Sequence, residues 1–365
     1  MPVAADPDRL SSFDYTLPRE LIAQHPTENR VDARLMVVDR TAATFSHHHI
    51  RDLPELLVAG DTLVMNNSRV VPARLMGYRT LTRGRWQGLF LDHDAATGCW
   101  EVLTKTRGTL RPDETITIVD RDGRDGMRLT VVSRTDDGHL IVRPEVAADP
   151  TDGDPAGDAA PEVWLERYGR VPIPPYIRDG HMVDRDVTSY QTVYAKHAGS
   201  VAAPTAGLHF TPPLLESCRA AGVGTVEVTL HVGLGTFRPI AVDDLNDHRM
   251  HHERVTVTPG AAAEINDRKS RGRTIAVGTT SARTLESASR SGTLQPFDGP
   301  TDLFIRPGYR WNTVDAMLTN FHLPKSSLLV MVSALAGRQL ILDAYREAIE
   351  QEYRFYSYGD AMLIV

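Results

Sequence analysis

Cysteine is almost absent. The 365-residue chain has two, Cys99 and Cys218. That excludes a disulfide framework, and with neither thiol in a paired motif both read as core residues. Long apolar runs are missing as well. The longest nearly uncharged one, Ser326–Gly337 (SSLLVMVSALAG), falls well short of the roughly 20 residues a membrane span needs, so no membrane association is expected. The first residues, MPVAADPDRL, hold no basic segment followed by an apolar core. No secretory signal is therefore expected, and the cytoplasm is the expected compartment. Positive charge is not in excess: the net charge is −7, which argues against a chain that coats nucleic acid without specificity but leaves room for a local basic patch. The phosphate-loop pattern Gly-x-x-x-x-Gly-Lys-Ser/Thr is absent. The dinucleotide fingerprint is incomplete, because His231–Phe237 (HVGLGTF) has two of its glycines and Pro239 stands where the helix should start. No Ser/His/Asp order or Cys/His pair points to a hydrolase, and there is no internal repeat.

What is present divides into three textures. Residues 1–70 mix turns with buried-strand runs such as Arg34–Arg40 (RLMVVDR) and Asp61–Asn67 (DTLVMNN). From 71 to 160, six short alternating segments follow at even spacing, separated by turn signals such as DGRDG and DDG. This pattern predicts a small antiparallel barrel or sandwich. The acidic, Pro/Gly/Ala-rich stretch Ala147–Glu162 cannot bury a core and reads as a loop. From 161 onward the texture is mixed α/β, with helical patterns at Pro212–Ala221, Gly260–Ser270, Ser281–Arg290 and Gly337–Gln351. In the first of these Thr211 can cap, Pro212 can open the helix and Gly222 can end it. The expected organisation is a discontinuous α/β catalytic domain (1–70 plus 161–365) with an inserted small antiparallel β domain (71–160).

Several segments can carry chemistry, and each has a plainer reading beside it. Ser200–Thr211 (SVAAPTAGLHFT) surrounds His209 with small uncharged residues, as a loop does when a flat or charged ligand lies against its backbone near Gly207; a buried structural histidine is the alternative. Gly233 and Gly235 serve either a turn or close ligand approach. Ala276–Ser287 (AVGTTSARTLES) ends a strand at Gly278 and starts a helix near Ser281. Its first amides and the Thr279, Thr280 and Ser281 hydroxyls can receive a carboxylate or phosphate, with Arg283 adding a fork, unless they only cap the helix. His248, His251 and His252 invite a metal reading, but the segment reads as loop and lacks the His-Glu-x-x-His pattern, so no metal is expected. Leu318–Leu329 (LTNFHLPKSSLL) puts His322 and Lys325 around a proline turn, and Asp360 sits beside a turn glycine in Tyr356–Met362 (YSYGDAM). Between Asn66 and Leu91 stand five arginines, Arg69, Arg74, Arg79, Arg83 and Arg85, and no acid. This is either a solvated strand face or a surface for phosphates.

These strings, together with FDYTLPRELIAQHP, NNSRVVPARL, VPIPPYI, YQTVYAK, TLHVGLGTFRP, DHRMHHE, FIRPGY, TNFHLPKSSLLVMVSALAG and YRFYSYGDAMLI, run almost end to end. Through them the chain resembles the QueA family of queuosine biosynthesis, the S-adenosylmethionine:tRNA ribosyltransferase-isomerases. Two positions depart from the family pattern. Ala33 replaces a serine, and Gly88, in GRWQGLFL, takes a glutamate position.

The resemblance implies an α/β domain with an inserted β-barrel. It also implies a reaction, in which the ribosyl moiety of S-adenosylmethionine is transferred and isomerised onto 7-aminomethyl-7-deazaguanine at the tRNA wobble position. The product is epoxyqueuosine-tRNA, with adenine and methionine released. S-adenosylmethionine is then a co-substrate, and tRNA carrying the modified base in its anticodon is the partner. No metal is required, and a monomer is expected. A general base must take the C5′ proton that the sulfonium acidifies, and an acid must help adenine leave. His209 is the first candidate for this work and His231 the second. Gly207, Gly233, Gly235, Gly278, Thr279, Thr280, Ser281, Arg283, Lys325 and Asp360 are expected to bind S-adenosylmethionine, and Arg69 and Arg74 to face tRNA phosphates. A non-catalytic RNA binder, a metal-dependent hydrolase on the His248 cluster and a methyltransferase are the rival classes.

Overall fold

The computed structural model describes residues 6, 8–145, 159–233 and 240–365. It divides into two compact units, one comprising residues up to Val70, Pro174–His181 and Arg185–Val365, the other Val71–Ile173 with Met182–Asp184. The strands, in chain order, are β1 (Arg34–Asp39), β2 (Thr44–His49), β3 (Thr62–Asn66), β4 (Ser68–Val70), β5 (Arg74–Arg79), β6 (Arg85–Asp94), β7 (Cys99–Thr106), β8 (Thr115–Val119), β9 (Asp125–Arg134), β10 (Leu140–Glu145), β11 (His197–Ser200), β12 (Gly224–Leu230), β13 (Glu253–Val257), β14 (Thr274–Val277), β15 (Phe297–Thr301), β16 (Ala316–Asn320) and β17 (Ala361–Ile364). The helices are α1 (Leu53–Leu56), α2 (Pro161–Tyr168), α3 (Asp186–Ser189), α4 (Pro212–Ala220), α5 (Pro259–Arg268), α6 (Thr279–Ala288), α7 (Ser327–Ala336) and α8 (Arg338–Glu350).

The first unit is α/β. Its main sheet has nine strands in the order β15-β13-β12-β3-β14-β16-β17-β1-β2. The centre, β12-β3-β14-β16, is parallel, and the flanking pairs include antiparallel ones. Every residue of β3, β14, β16 and β17 is buried, because helices cover both faces and no face is left for polar residues. Alternation along each strand therefore feeds two cores. Met36, Val64, Ala276 and Met317 meet one core with α5 to α8, while Leu35, Leu63, Ile275 and Leu318 meet the other with α4. The Thr211 hydroxyl accepts the Leu214 N–H and caps α4, Pro212 opens it, and Gly222 follows it at φ 84°. Ala33 is 2 % exposed in the second core, where a serine hydroxyl would need a buried partner.

The second unit is a closed antiparallel barrel, β10-β7-β6-β5-β8-β9. The six segments read from alternation are its six strands. Its core holds Trp86 and Trp100, and α2 adds Trp164, Leu165 and Tyr168. The sequence reading ended the inserted domain at 160 and gave the following residues to the α/β body. The apolar face of α2 instead packs into the barrel, so this unit runs on to Ile173. Gly88 has a physical reason: a Cβ there would lie 2.1 Å from Cη2 of Trp86. Two positions apart on one strand, the two share the inward face, and the fully buried indole occupies the space that a glutamate would need. Residues 147–158 of the acidic stretch lie outside the described residues.

Candidate functional site

The small-residue stretch forms a wall. After β11, the Ser200 hydroxyl donates to the Ala202 carbonyl at 2.7 Å and accepts the Val232 N–H at 3.0 Å. The chain then turns through a short 3-10 segment, Thr205–His209. Ala202 to Ala206 line a cavity of about 330 Å³. A second wall is the β14–α6 junction. Gly278 sits there at φ 85°, a conformation that favours glycine, and exposes the first turn of α6 at Thr279 and Thr280. The third wall runs from Thr319 at the end of β16 to Leu328 at the start of α7, and Pro175, Tyr176, Tyr190, Val232, Tyr356 and Ser357 complete the lining. Two ten-residue helices thus bring their N-termini to one cavity, and unpaired amides and dipoles there favour a negative group.

The titratable residues of the lining are one histidine, one lysine and three tyrosines. His322 is buried. Its Nε2 lies 2.9 Å from the Thr319 hydroxyl, its backbone N–H donates to the Tyr345 hydroxyl at 2.8 Å, and its carbonyl accepts the Tyr15 hydroxyl. Burial lowers its pKa to about 3, so the imidazole is neutral in the resting site. Lys325 is held at φ 55° with its ammonium 2.7 Å from Asp14. Tyr176 and Tyr356 lie with ring centroids 4.8 Å apart, and the Tyr176 hydroxyl is 2.8 Å from that of Ser357. Burial pushes the Tyr176 phenol up to about 12.

The expected site residues separate into groups. Gly278, Thr279, Thr280 and Lys325 line the cavity together. His209 does not. It lines a neighbouring cavity of about 80 Å³ with Arg30, Arg185 and Tyr358, and its Nε2 faces the Asn320 amide nitrogen at 3.2 Å. Burial and the Arg30 and Arg354 charges lower its pKa to about 4. Asn320 lines the large cavity, and its side-chain oxygen accepts the Thr205 hydroxyl at 2.9 Å, so His209 reaches that cavity only through this amide. His231 lines neither described cavity. It is half-buried beside Gly199, and burial, then the His197 and Arg254 charges, lower its pKa.

Of the remaining expected residues, those described lie outside the large cavity or are engaged elsewhere. Arg283 forms a buried ion pair with Glu253, whose other oxygen accepts the Gly233 N–H at 3.2 Å. Its Nη1 is engaged by that carboxylate while its Nε is buried without a partner among the described residues, and Gly233 is a turn residue held by the same carboxylate. The Ser281 hydroxyl donates to the Val277 carbonyl. Asp360 accepts the Arg34 and Arg354 backbone N–H groups at 2.9 and 2.8 Å and lines neither described cavity. Gly207 makes room for Tyr194, whose hydroxyl would lie 2.1 Å from a Cβ there. Gly235 lies outside the described residues. Arg69 is exposed on β4. Arg74 is half-buried in the barrel unit and donates to the Ile173 carbonyl at 3.2 Å. The other three arginines also belong to the barrel, where Arg79 pairs with Glu114 and Arg83 covers the Tyr78 ring at 3.8 Å.

The sequence places His322 beside a proline turn, and a histidine just before a Pro-Lys-Ser-Ser helix start is a usable signal for the acid/base role that spacing alone does not assign to it. Among the described residues no three His, Cys, Asp or Glu side chains gather into a group able to hold a metal ion. In the His248 segment, Nε2 of His248 faces the Met250 sulfur at 3.3 Å.

A family profile described as "Queuosine biosynthesis protein" matches residues 10–364. The S-adenosylmethionine:tRNA ribosyltransferase-isomerase of Symbiobacterium thermophilum is 52% identical over 363 residues, covering 98% of this chain and 100% of the relative. That of Desulfitobacterium hafniense is 47% identical over 362 residues, with the same coverage. Among solved structures, the S-adenosylmethionine tRNA ribosyltransferase from Thermotoga maritima matches with a TM-score of 0.53 and 33% identity, covering 97% of this chain and 100% of that one.

Proposed function

Because the chain belongs to the queuosine-biosynthesis family of S-adenosylmethionine:tRNA ribosyltransferase-isomerases, we propose that its large cavity is where S-adenosylmethionine reacts. One observation carries this reading: the N-termini of α6 and α7 and Lys325 meet in a cavity otherwise lined by neutral and aromatic groups. Such a site suits a ligand with a carboxylate at one end and a flat base at the other. Lys325 and the first amides of α7 take the methionyl carboxylate. The amides and hydroxyls of Thr279 and Thr280 meet the ribose, and Tyr176 and Tyr356 flank adenine.

The acceptor is 7-aminomethyl-7-deazaguanine at the wobble position of tRNA. The sulfonium acidifies the C5′ hydrogen. Neutral His322 accepts that proton, and its imidazolium is a strong acid in so dry a site. It passes the proton to the adenine ring as the glycosidic bond breaks. His322, neutral again, takes the proton that the aminomethyl nitrogen loses as it attacks the ribosyl group, and closure of the epoxide expels methionine. Asn320, fixed by Thr205 and His209, is a positioning residue for the same wall. The exposed Arg69 meets a tRNA phosphate. The two buried free thiols fit a reducing compartment such as the cytoplasm.

The test is free adenine. Enzyme incubated with S-adenosylmethionine and precursor-modified tRNA is expected to release adenine and methionine. His322→Gln should slow single-turnover adenine release by about 10²–10⁴-fold. An unchanged rate removes His322 from the proton path. Adenine retained on the product would indicate methyl transfer instead.

A further inference from the structure

We infer that Asp14 reads the α-ammonium group of S-adenosylmethionine while Lys325 takes the carboxylate, so that their ion pair opens around the amino-acid end of the substrate. The inference rests on the cavity being the S-adenosylmethionine site. The short segment Phe13–Tyr15 is bolted to the cavity loop on both sides of Asp14. The Phe13 carbonyl accepts the Lys325 N–H at 2.9 Å, and the Tyr15 hydroxyl donates to the His322 carbonyl. Between these two anchors the Asp14 carboxylate lies 2.7 Å from the Lys325 ammonium. Phe13 is fully buried, and the two anchors fix where the Asp14 backbone stands.

Lys325 is held in the left-handed region at φ 55°, a costly conformation for a lysine that persists only where surrounding contacts impose it. One such contact is the bond from the Lys325 N–H to the Phe13 carbonyl of the Asp14 segment. The Lys325 and Asp14 side chains are 49% and 46% exposed, and a pair so wet contributes little to stability. Structural need therefore does not account for the arrangement. Placing a carboxylate against the one cation of a carboxylate-binding wall would also weaken that wall if the ligand were a simple anion. A zwitterion resolves the conflict. It presents its carboxylate to Lys325 and its ammonium to Asp14, replacing one ion pair by two without leaving a charge unmatched. Asp14 does not line the cavity itself, which places it at the amino-acid end beyond Lys325 rather than at the sulfonium.

The test uses the full chain and three ligands: S-adenosylmethionine, its decarboxylated analogue, which keeps the amine, and its deaminated analogue, which keeps the carboxylate. Dissociation constants come from calorimetry, and KM from adenine release. The wild type is expected to bind each truncated ligand about tenfold or more weakly than S-adenosylmethionine. Asp14→Asn should bind S-adenosylmethionine and the deaminated analogue alike while still discriminating against the decarboxylated one. Lys325→Met should show the mirror pattern. In Asp14→Asn the loss should fall on KM more than on kcat. Wild-type discrimination against the deaminated analogue in Asp14→Asn, or tighter binding of S-adenosylmethionine by that variant, overturns the assignment of Asp14. If Lys325→Met also discriminates against the decarboxylated analogue as the wild type does, the carboxylate lies elsewhere and the cavity reading falls with it.

Discussion

Two neutral histidines buried in one unit make its stability fall in mild acid. His209 and His322 are 5% and 8% exposed, and burial lowers their pKa values from the ordinary 6.5 to about 4 and about 3. The sign follows from linkage. Below the unfolded value the unfolded chain takes up two protons that the native protein refuses, so stability drops as pH falls from about 6.5 toward the folded values. Integrated from about pH 7.5 to about pH 5, each group costs about 2 kcal/mol and the two together about 4 kcal/mol. That is a sizeable share of the roughly 5–15 kcal/mol by which domains are usually stable. The carboxylates with lowered pKa values, such as Asp61, lose their contribution only at lower pH and do not enter this window. Urea unfolding at a series of pH values, followed by circular dichroism, measures the slope. His322→Gln and His209→Gln should each remove about 2 kcal/mol of the loss between about pH 7.5 and about pH 5. A stability independent of pH across this range, or variants that keep the full slope, would refute the claim that both imidazoles are neutral in the fold.

Other perturbations test neighbouring parts of the account. Gly88→Ala should destabilise the barrel by about 1–3 kcal/mol through overpacking against Trp86, and adding Trp86→Leu should recover part of the loss in thermal melts. Glu286 is fully buried and accepts the Asn312, Thr313 and Val314 N–H groups at 2.9 Å and the Tyr309 hydroxyl at 3.0 Å. Glu286→Ala should therefore cost about 3 kcal/mol or more, read as a lowered urea midpoint, because several buried donors lose their acceptor. Arg69→Ala should weaken tRNA binding and reduce the slope of log K against log salt by about 1. An unchanged slope would remove Arg69 from the RNA surface.

The fold was more legible than the site, for physical reasons. Strands β5 to β10 show through alternation because one face of each is wet, and β3 and β14 show as apolar runs because neither face is. Helix α7 is not among the segments that helical periodicity marks. Its sequence, SLLVMVSALA, is apolar on nearly every side, so no 3.6-residue periodicity marks it, yet its N-terminus forms a wall of the cavity. The bare stretch around His209 did point to a cavity. There, Ala202 to Ala206 supply the lining, while the turn of Thr205–His209 carries the imidazole to the far side of Asn320. Spacing along a chain does not reveal which way a 3-10 turn aims its last side chain. Arg283 looked available because Glu253, its buried partner, lies thirty positions away in sequence. Gly207 looked like a ligand glycine because nothing local shows that Tyr194 needs the space.

The central claim is that S-adenosylmethionine occupies the cavity between the α6 and α7 N-termini. The most direct measurement is a crystal structure of the protein with S-adenosylmethionine bound. The account predicts ligand density with the carboxylate at Lys325, adenine between Tyr176 and Tyr356, and C5′ facing His322. Density in the smaller cavity beside His209, with the large one empty of ligand, would contradict it.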